Sequence, residues 1–539
     1  MCARRVRTLQ RKKRKDLTPK GKEILEAYLA IVSEEKRYPT RSELKEFGFS
    51  RDTFRDAFGN IENLKEYVRA NFPEKIKEIT EEKIKNPKKL LELSKLIKKF
   101  NRFVITTAVN GAPVDVAKLK SLKTLCKKKN ALLLILPAGN EVDQMDPVLA
   151  DQQWIFDKTY LNSNIYISAI KVKPSTVNPL TSLGRIGQRN GSTIIASPKQ
   201  FLEPVAVGDN KMPHMMMSTG AITKPTYQDN NGNYKKNDLI ALHDHVMGAI
   251  IVEIENDTFY YFRQLQFDTK AGVVDLGDYF SGEKTSKLYP SHFTIGDYHV
   301  WETDPTAAKA WDEISESCNN PIRIHGDFFG GVSINHHEEN NQIMRAKLMG
   351  ENKLTLEEEV RACARELDKE TEKCDLVIIV ASNHHDFLSK HYIPRGMYHR
   401  DPQNLDFASK LISPMIRGED PLKYAVEKLV GIKHPEKVRW LKRDESYQVA
   451  GIELGAHGDK GANGSKGSPN TLEKGYGNCV VGHSHSARIV RGFWQVGTST
   501  FLKLPYTEGT SSWSHTSCLV YPNGARQLIS SIGGKWRLK

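Results

Sequence analysis

The chain has 539 residues, 39% of them hydrophobic, and a formal net charge of +14. That length exceeds what one ordinary core fills, so several domains are expected. The longest apolar run, Ala131 to Ala138, is too short to cross a bilayer, and the basic N-terminus has no apolar h-region, which argues against a membrane or secreted protein. Seven scattered cysteines (Cys2, Cys126, Cys318, Cys363, Cys374, Cys479, Cys518) without a C-x-x-C pair read as reduced thiols in a cytoplasm, not as a disulfide frame or zinc ribbon.

Residues 1–16 form a basic arm, with Arg4, Arg5, Arg7, Arg11, Lys12, Lys13, Arg14 and Lys15. Such an arm repels itself, stays extended and can lie along phosphates. Lys127, Lys128 and Lys129 make a smaller basic cluster. Residues 17–72 read as short helices. Ile24, Leu25, Tyr28 and Leu29 recur at helical spacing, the chain breaks at Arg37-Tyr38-Pro39, and Thr40 is placed to cap a second helix that ends at Gly48. Ser50 caps a third helix carrying Arg51, Thr53, Phe54, Arg55 and Phe58, and a fourth begins near Ile61. Two short helices across a glycine turn suggest a helix-turn-helix, in which Arg51, Thr53 and Arg55 would face a major groove. A small helical bundle for protein contacts is the alternative.

Residues 73–99 read as a helical connector, solvated or used for homo-oligomerisation. Residues 100–290 read as a mixed α/β and β-rich region. Phe103 to Thr107, a helical Val114 to Lys127 and Ala131 to Leu136 start an α/β layer, and short strand patterns follow, with an Asn230-Asn231-Gly232 turn. The region discloses no function and leaves room for a protein partner. His243-Asp244-His245 reads as a polar strand end rather than a metal cluster.

Residues 291–539 behave differently. Phe293-Thr294-Ile295 leads into Asp297 and His299. Pro321 to Ile324 leads into His325-Gly326-Asp327, and Leu376 to Val380 into Ser382-Asn383-His384-His385-Asp386. Gln448 to Leu454 leads into His457, and Val480-Val481 into Gly482-His483-Ser484-His485. Asp304 and Thr355 are placed to cap helices between these strands, Thr355 with Glu358 as a capping box. Five apolar strands thus deliver ligand-type residues at their carboxyl ends, where open α/β sheets place their sites. Two divalent ions about 3.5–4 Å apart can clamp the attacking and leaving oxygens of a phosphoryl transfer. A bridging carboxylate reduces the repulsion between them, and imidazole and amide oxygen complete the shells without repelling phosphate. Asn335-His336-His337-Glu338, eight residues after Asp327, rivals the Asn383-His384 motif but follows no apolar strand, and reads either as a cluster on the substrate side or supporting the ligands, or as a solvated helix start.

The order D-x-H, G-D, N-H, isolated His, G-H-x-H closely resembles the calcineurin-like metallophosphoesterase family, over about residues 291–499. The resemblance implies an α/β domain built as a two-sheet β-sandwich flanked by helices. It implies that Asp297, His299, Asp327 and His485 hold a first metal and that Asp327 bridges to a second held by Asn383, His457 and His483. A hydroxide between the metals would be the nucleophile. Two departures stand out. In the Asn-His motif Ser382 replaces the family's usual glycine and His385 separates His384 from Asp386, so Asp386 would orient His384 from one residue further on; and where the family often carries a second acidic residue shortly after G-D, Asp327 is followed by Phe328-Phe329-Gly330-Gly331. Either His384 or His385 can then supply the proton, with His384 the first choice.

The donor set suits manganese first, with iron or zinc as alternatives and magnesium alone less natural among so many imidazoles. The arm, the helix-turn-helix-like segment and the basic balance point to DNA as substrate, by analogy with the family's break-processing nucleases. The whole arrangement suggests a phage-encoded nuclease degrading host DNA in the host cytoplasm. A phosphatase or cyclic-nucleotide phosphodiesterase, its N-terminus used for assembly, and a DNA-binding regulator with a vestigial metal site are the competing readings.

Overall fold

The computed structural model describes residues 17–538 apart from 36–38, 40, 60, 73–86, 140–143, 209–211, 228–232 and 505–506. The basic arm, the cap expected at Thr40, most of the connector and the Asn230–Gly232 turn lie outside the described residues. Helices Pro19–Glu35, Arg41–Glu46, Arg51–Phe58 and Ile61–Asn71 share one small core of Ile24, Leu25, Tyr28, Leu44, Phe54, Phe58, Leu64 and Val68. Gly48 sits at φ 83° and its amide closes the second helix on the Lys45 carbonyl. Ser50 Oγ caps the third helix by accepting from the Thr53 amide at 3.2 Å.

The remainder is mixed α/β with several sheets. Strands Arg102–Val109 and Leu132–Ala138 run parallel, with Phe103 opposite Leu132, and helix Val116–Lys129 makes the crossover. Asp115 caps that helix at its start, and Asn130, at φ 50°, ends it. Gly248–Ile254 and Tyr260–Gln266 extend this sheet antiparallel.

Two larger sheets frame the candidate site. One has six strands in the order Val438–Leu441, Val377–Val380, Ile322–His325, His292–Ile295, Thr516–Val520, Arg526–Ser530. Its first four strands are parallel. Side chains alternate across it: Val377 and Ile379 pack with Trp311, Ile314, Val360 and Leu367 of the covering helices, while Ile378 and Val380 join the core of the next sheet. Both faces are buried, which explains why these strands read as unbroken apolar runs. The other sheet has ten strands and draws them from both sides of residue 290. Phe201–Val205 pairs antiparallel with Arg488–Val490, setting Leu202 opposite Ile489. Strand pairing therefore makes the region before residue 290 part of the framework on which His457, His483 and His485 are mounted.

Asp304 caps helix Pro305–Ser317 through the Thr306 amide at 2.8 Å, as expected. Helix Leu356–Thr371 starts where expected, but the Thr355 side chain makes no cap bond. Its Leu356 amide donates instead to Asn404 Oδ1 at 2.7 Å, from the neighbouring helix Pro402–Ile416. A tertiary partner thus satisfies the first helical amide.

Candidate metal centre

The five loops after strands His292–Ile295, Ile322–His325, Val377–Val380, Ile452–Glu453 and Cys479–Val481 meet at one end of the two large sheets. Four of the converging residues have left-handed backbones: His299 at φ 44°, Asp327 at 41°, His483 at 76° and His485 at 58°. Such conformations cost a non-glycine residue about 1–3 kcal/mol each and persist only where the surroundings over-determine them. Here the loops hold one another. The His299 amide donates to the Asp327 carbonyl at 2.7 Å, the Gly482 amide to the His457 carbonyl at 2.8 Å, and the His483 amide to Asp297 Oδ2 at 2.6 Å.

Asp327 is the centre of the arrangement. Its Oδ2 lies 3.1 Å from His457 Nε2 and 3.6 Å from His299 Nε2. His299 Nε2 faces His485 Nε2 at 3.3 Å. Asn383 Oδ1 sits 3.1 Å from both His457 Nε2 and His483 Nδ1. Asp297 Oδ2 is 3.4 Å from His485 Nε2. Among the described residues, two groups have donor atoms close enough to hold a metal ion each: His299, Asp327 and His485, and Asp327, His457 and His483. Asp327 belongs to both. Asp297 borders the first group through His485, and Asn383 Oδ1 lies among the His457 and His483 donors of the second.

The chemistry of these donors fits a cation. Among the described residues, Asp297 Oδ1 and Asp327 Oδ1 are enclosed and meet no donor, and the Nδ1 atoms of His299, His457 and His485 are enclosed without a hydrogen-bond partner. Buried carboxylate oxygens without donors are costly unless something positive reaches them. Burial, helped by neighbouring imidazoles, lowers His299 far below the ordinary histidine value and His485 to about 3. Both are therefore neutral near pH 7, the form a metal ligand needs. Burial also drives Asp297 up to about 8, with Asp327 adding to the rise. Asp327 goes the other way: burial opposes its charge, but His457, His384 and His299 hold it well below the carboxylate range. His457 rises to about 9 because Asp327 and Asp297 outweigh its own desolvation.

His384 and His385 are placed differently. The half-buried His384 donates from Nδ1 to the Gly330 carbonyl at 2.6 Å, leaving Nε2 for the site, and its ring stands edge-on to His299 at 4.4 Å. His385 is buried, its Nε2 meets no protein partner, and burial lowers it to about 3. Asp386 does not orient either ring. It pairs with Arg443 at 2.8 Å and Lys390 at 2.9 Å. The extra residue before it turns its carboxylate away, and the Gly330 carbonyl holds His384 instead.

Several supporting residues carried no signal in sequence. Arg443 bridges Asp386 and Asp459, the latter at 2.6 Å, and so ties the Asn383 loop to the His457 loop. Buried Glu359 accepts from the Val332 and Ser333 amides and from Ser333 Oγ, fixing the turn next to Gly330. Trp513 packs on His485 with ring centres 4.2 Å apart. His243-Asp244-His245 forms no metal group among the described residues: His245 bonds Tyr227 and the Thr223 carbonyl, and Asp244 lies 3.6 Å from buried Lys199.

Fold and site together define a mixed α/β protein with buried Asp/His groups that could bind a metal ion. The chain is similar to Protein A1 of Escherichia phage T5, at 27% identity over 489 residues, covering 82% of this chain and 83% of that protein. This gives it a phage relative. No family model matches the chain, and no solved structure matches it. Among the described residues no helix is long and apolar enough to cross a membrane.

Proposed function

We propose that this chain is a two-metal phosphodiesterase of the calcineurin-like type, that it hydrolyses DNA, and that it acts on host DNA in phage infection. The observation that carries the reading is the pair of buried donor groups sharing Asp327. Asp297, His299, Asp327 and His485 would hold one ion and Asp327, Asn383, His457 and His483 the other, with manganese the best match to the mixed oxygen and imidazole donors. The bound ions would activate water and neutralise charge on the phosphate.

The chain's own residues do the rest. Asp327 is held ionised by the imidazoles around it and can serve both groups. The His483 amide fixes Asp297, so that carboxylate needs no rearrangement to take up a ligand. His384 is the proton donor to the departing alkoxide. Its Nδ1–H is committed to the Gly330 carbonyl, which leaves Nε2 as the atom that carries and releases the proton. His385, enclosed and lowered to about 3, suits that role less.

The choice of DNA is supported by the +14 charge, the N-terminal basic arm, the short helices across the Gly48 turn and the phage relative. The test is incubation of the purified chain with circular and linear DNA over a panel of divalent metals, with and without chelator. Cleavage that needs metal and is best with manganese is expected. Hydrolysis of a phosphomonoester dye with DNA left intact would favour a phosphatase instead.

A further inference from the structure

A ring array outside the candidate metal groups leads away from them. His384 stands 4.8 Å from Phe387, and Phe387 is 4.8 Å from His336. His336 stacks face to face on His391, 4.3 Å apart and 9° from parallel, and touches His337 at 3.9 Å. The rings come from two segments, the loop after Asp327 and the helical turn Phe387–Tyr392 after Asn383, and the fold brings His336 of the first onto Phe387 and His391 of the second. His336 Nδ1 and His391 Nδ1 are enclosed and have no hydrogen-bond partner among the described residues. The exposed Arg395 is near enough to act electrostatically on both. Of the carboxylates nearby, Glu338 accepts from Asn341, Asp386 pairs with Arg443 and Lys390 while also acting electrostatically on His391, and Glu339 lies on the same loop as His336.

We propose that His336, His337, His391 and Arg395 form a subsite that holds the phosphodiester backbone of the DNA strand beside the cleaved bond. The inference rests on the nuclease reading above. Imidazole N–H groups and a guanidinium are hydrogen-bond donors suited to phosphate oxygens. The three imidazoles form no metal group among the described residues. Aromatic packing on Phe387 sets the array against His384, and a strand whose phosphate lies at the metal centre would run its next phosphates over these donors.

The test compares two substrates: long linear DNA, and bis(p-nitrophenyl) phosphate, which has a single phosphate and so none to place on the array. In Arg395→Ala, and in the double variant His336→Ala/His391→Ala, the ratio of kcat/KM for DNA to that for the small ester should fall about tenfold, the worth of a hydrogen bond to a charged group. The slope of log affinity for DNA against log salt should become shallower by about 1 for Arg395→Ala, and Arg395→Lys should restore most of it. Arg395 is exposed, so this variant keeps the test sound should the histidine pair fail to fold. An unchanged ratio in a wild-type-active protein overturns the subsite alone. A wild-type chain that hydrolyses neither substrate overturns the nuclease reading and the subsite with it.

Discussion

Gly482 offers the sharpest steric test of the site. Its backbone lies outside the left-handed region, so alanine suits its conformation. The only new group is the Cβ, which would meet Asp297 Oδ1 well inside contact distance and Asp297 Cγ at 3.0 Å. Asp297 cannot swing aside freely, because the His483 amide grips its Oδ2 at 2.6 Å and the residue is fully buried. Carboxylate and Cβ must separate to about 3.4 Å or more, which moves the carboxylate by roughly 1 Å; a misplacement of that size costs about a hundredfold in rate. Overpacking of this kind also costs about 1–3 kcal/mol of stability. The assay is metal-dependent DNA cleavage by Gly482→Ala beside its thermal unfolding curve. A rate loss of about two orders of magnitude with the protein still folded is expected. Wild-type cleavage rates in a folded Gly482→Ala would refute the placement of Asp297 in the reactive geometry.

Arg443→Gln should loosen the Asn383 and His457 loops together, weakening metal affinity about 10–100-fold, as loss of supporting contacts around ligands commonly does; calorimetric titration with manganese checks this. Glu359→Gln leaves the Val332 and Ser333 donors short of a carboxylate and frees the turn that presents the Gly330 carbonyl. It should lower kcat about tenfold or more with KM little changed, since the effect reaches the reaction through the orientation of His384. Burial lowers His245 and His292 to about 4 in the folded chain from the ordinary 6.5. Unfolding between those values therefore takes up protons, so their contribution to stability is complete above pH 6.5 and declines as pH falls toward 4, by at most about 3 kcal/mol per residue. Chemical denaturation at pH 7.5, 6 and 5 should show a falling midpoint, and replacing His292 with Asn should flatten the trend.

Much of the site was legible because each ligand-type residue follows its own apolar strand, and a strand buried on both faces is readable as an unbroken run, as at Val377–Val380. What escaped is non-local or carried by backbone. No local pattern announces that Leu202 will pair with Ile489, so the region before residue 290 looked separate in sequence while sharing a sheet with the strands around the site. The partner of His384 is a carbonyl, which has no side-chain signature. One inserted residue, His385, sufficed to turn Asp386 onto Arg443. The Asn404 bond to the Leu356 amide, made from another helix, likewise has no local signature.

Cleavage of linear and circular DNA by Asp327→Ala, with DNA binding measured in the same preparation, tests the central claim most directly. Asp327 is the one residue common to both donor groups. Its removal should abolish manganese-dependent cleavage while binding, carried by the basic surfaces, persists. Undiminished cleavage by a folded Asp327→Ala would contradict the two-metal account outright.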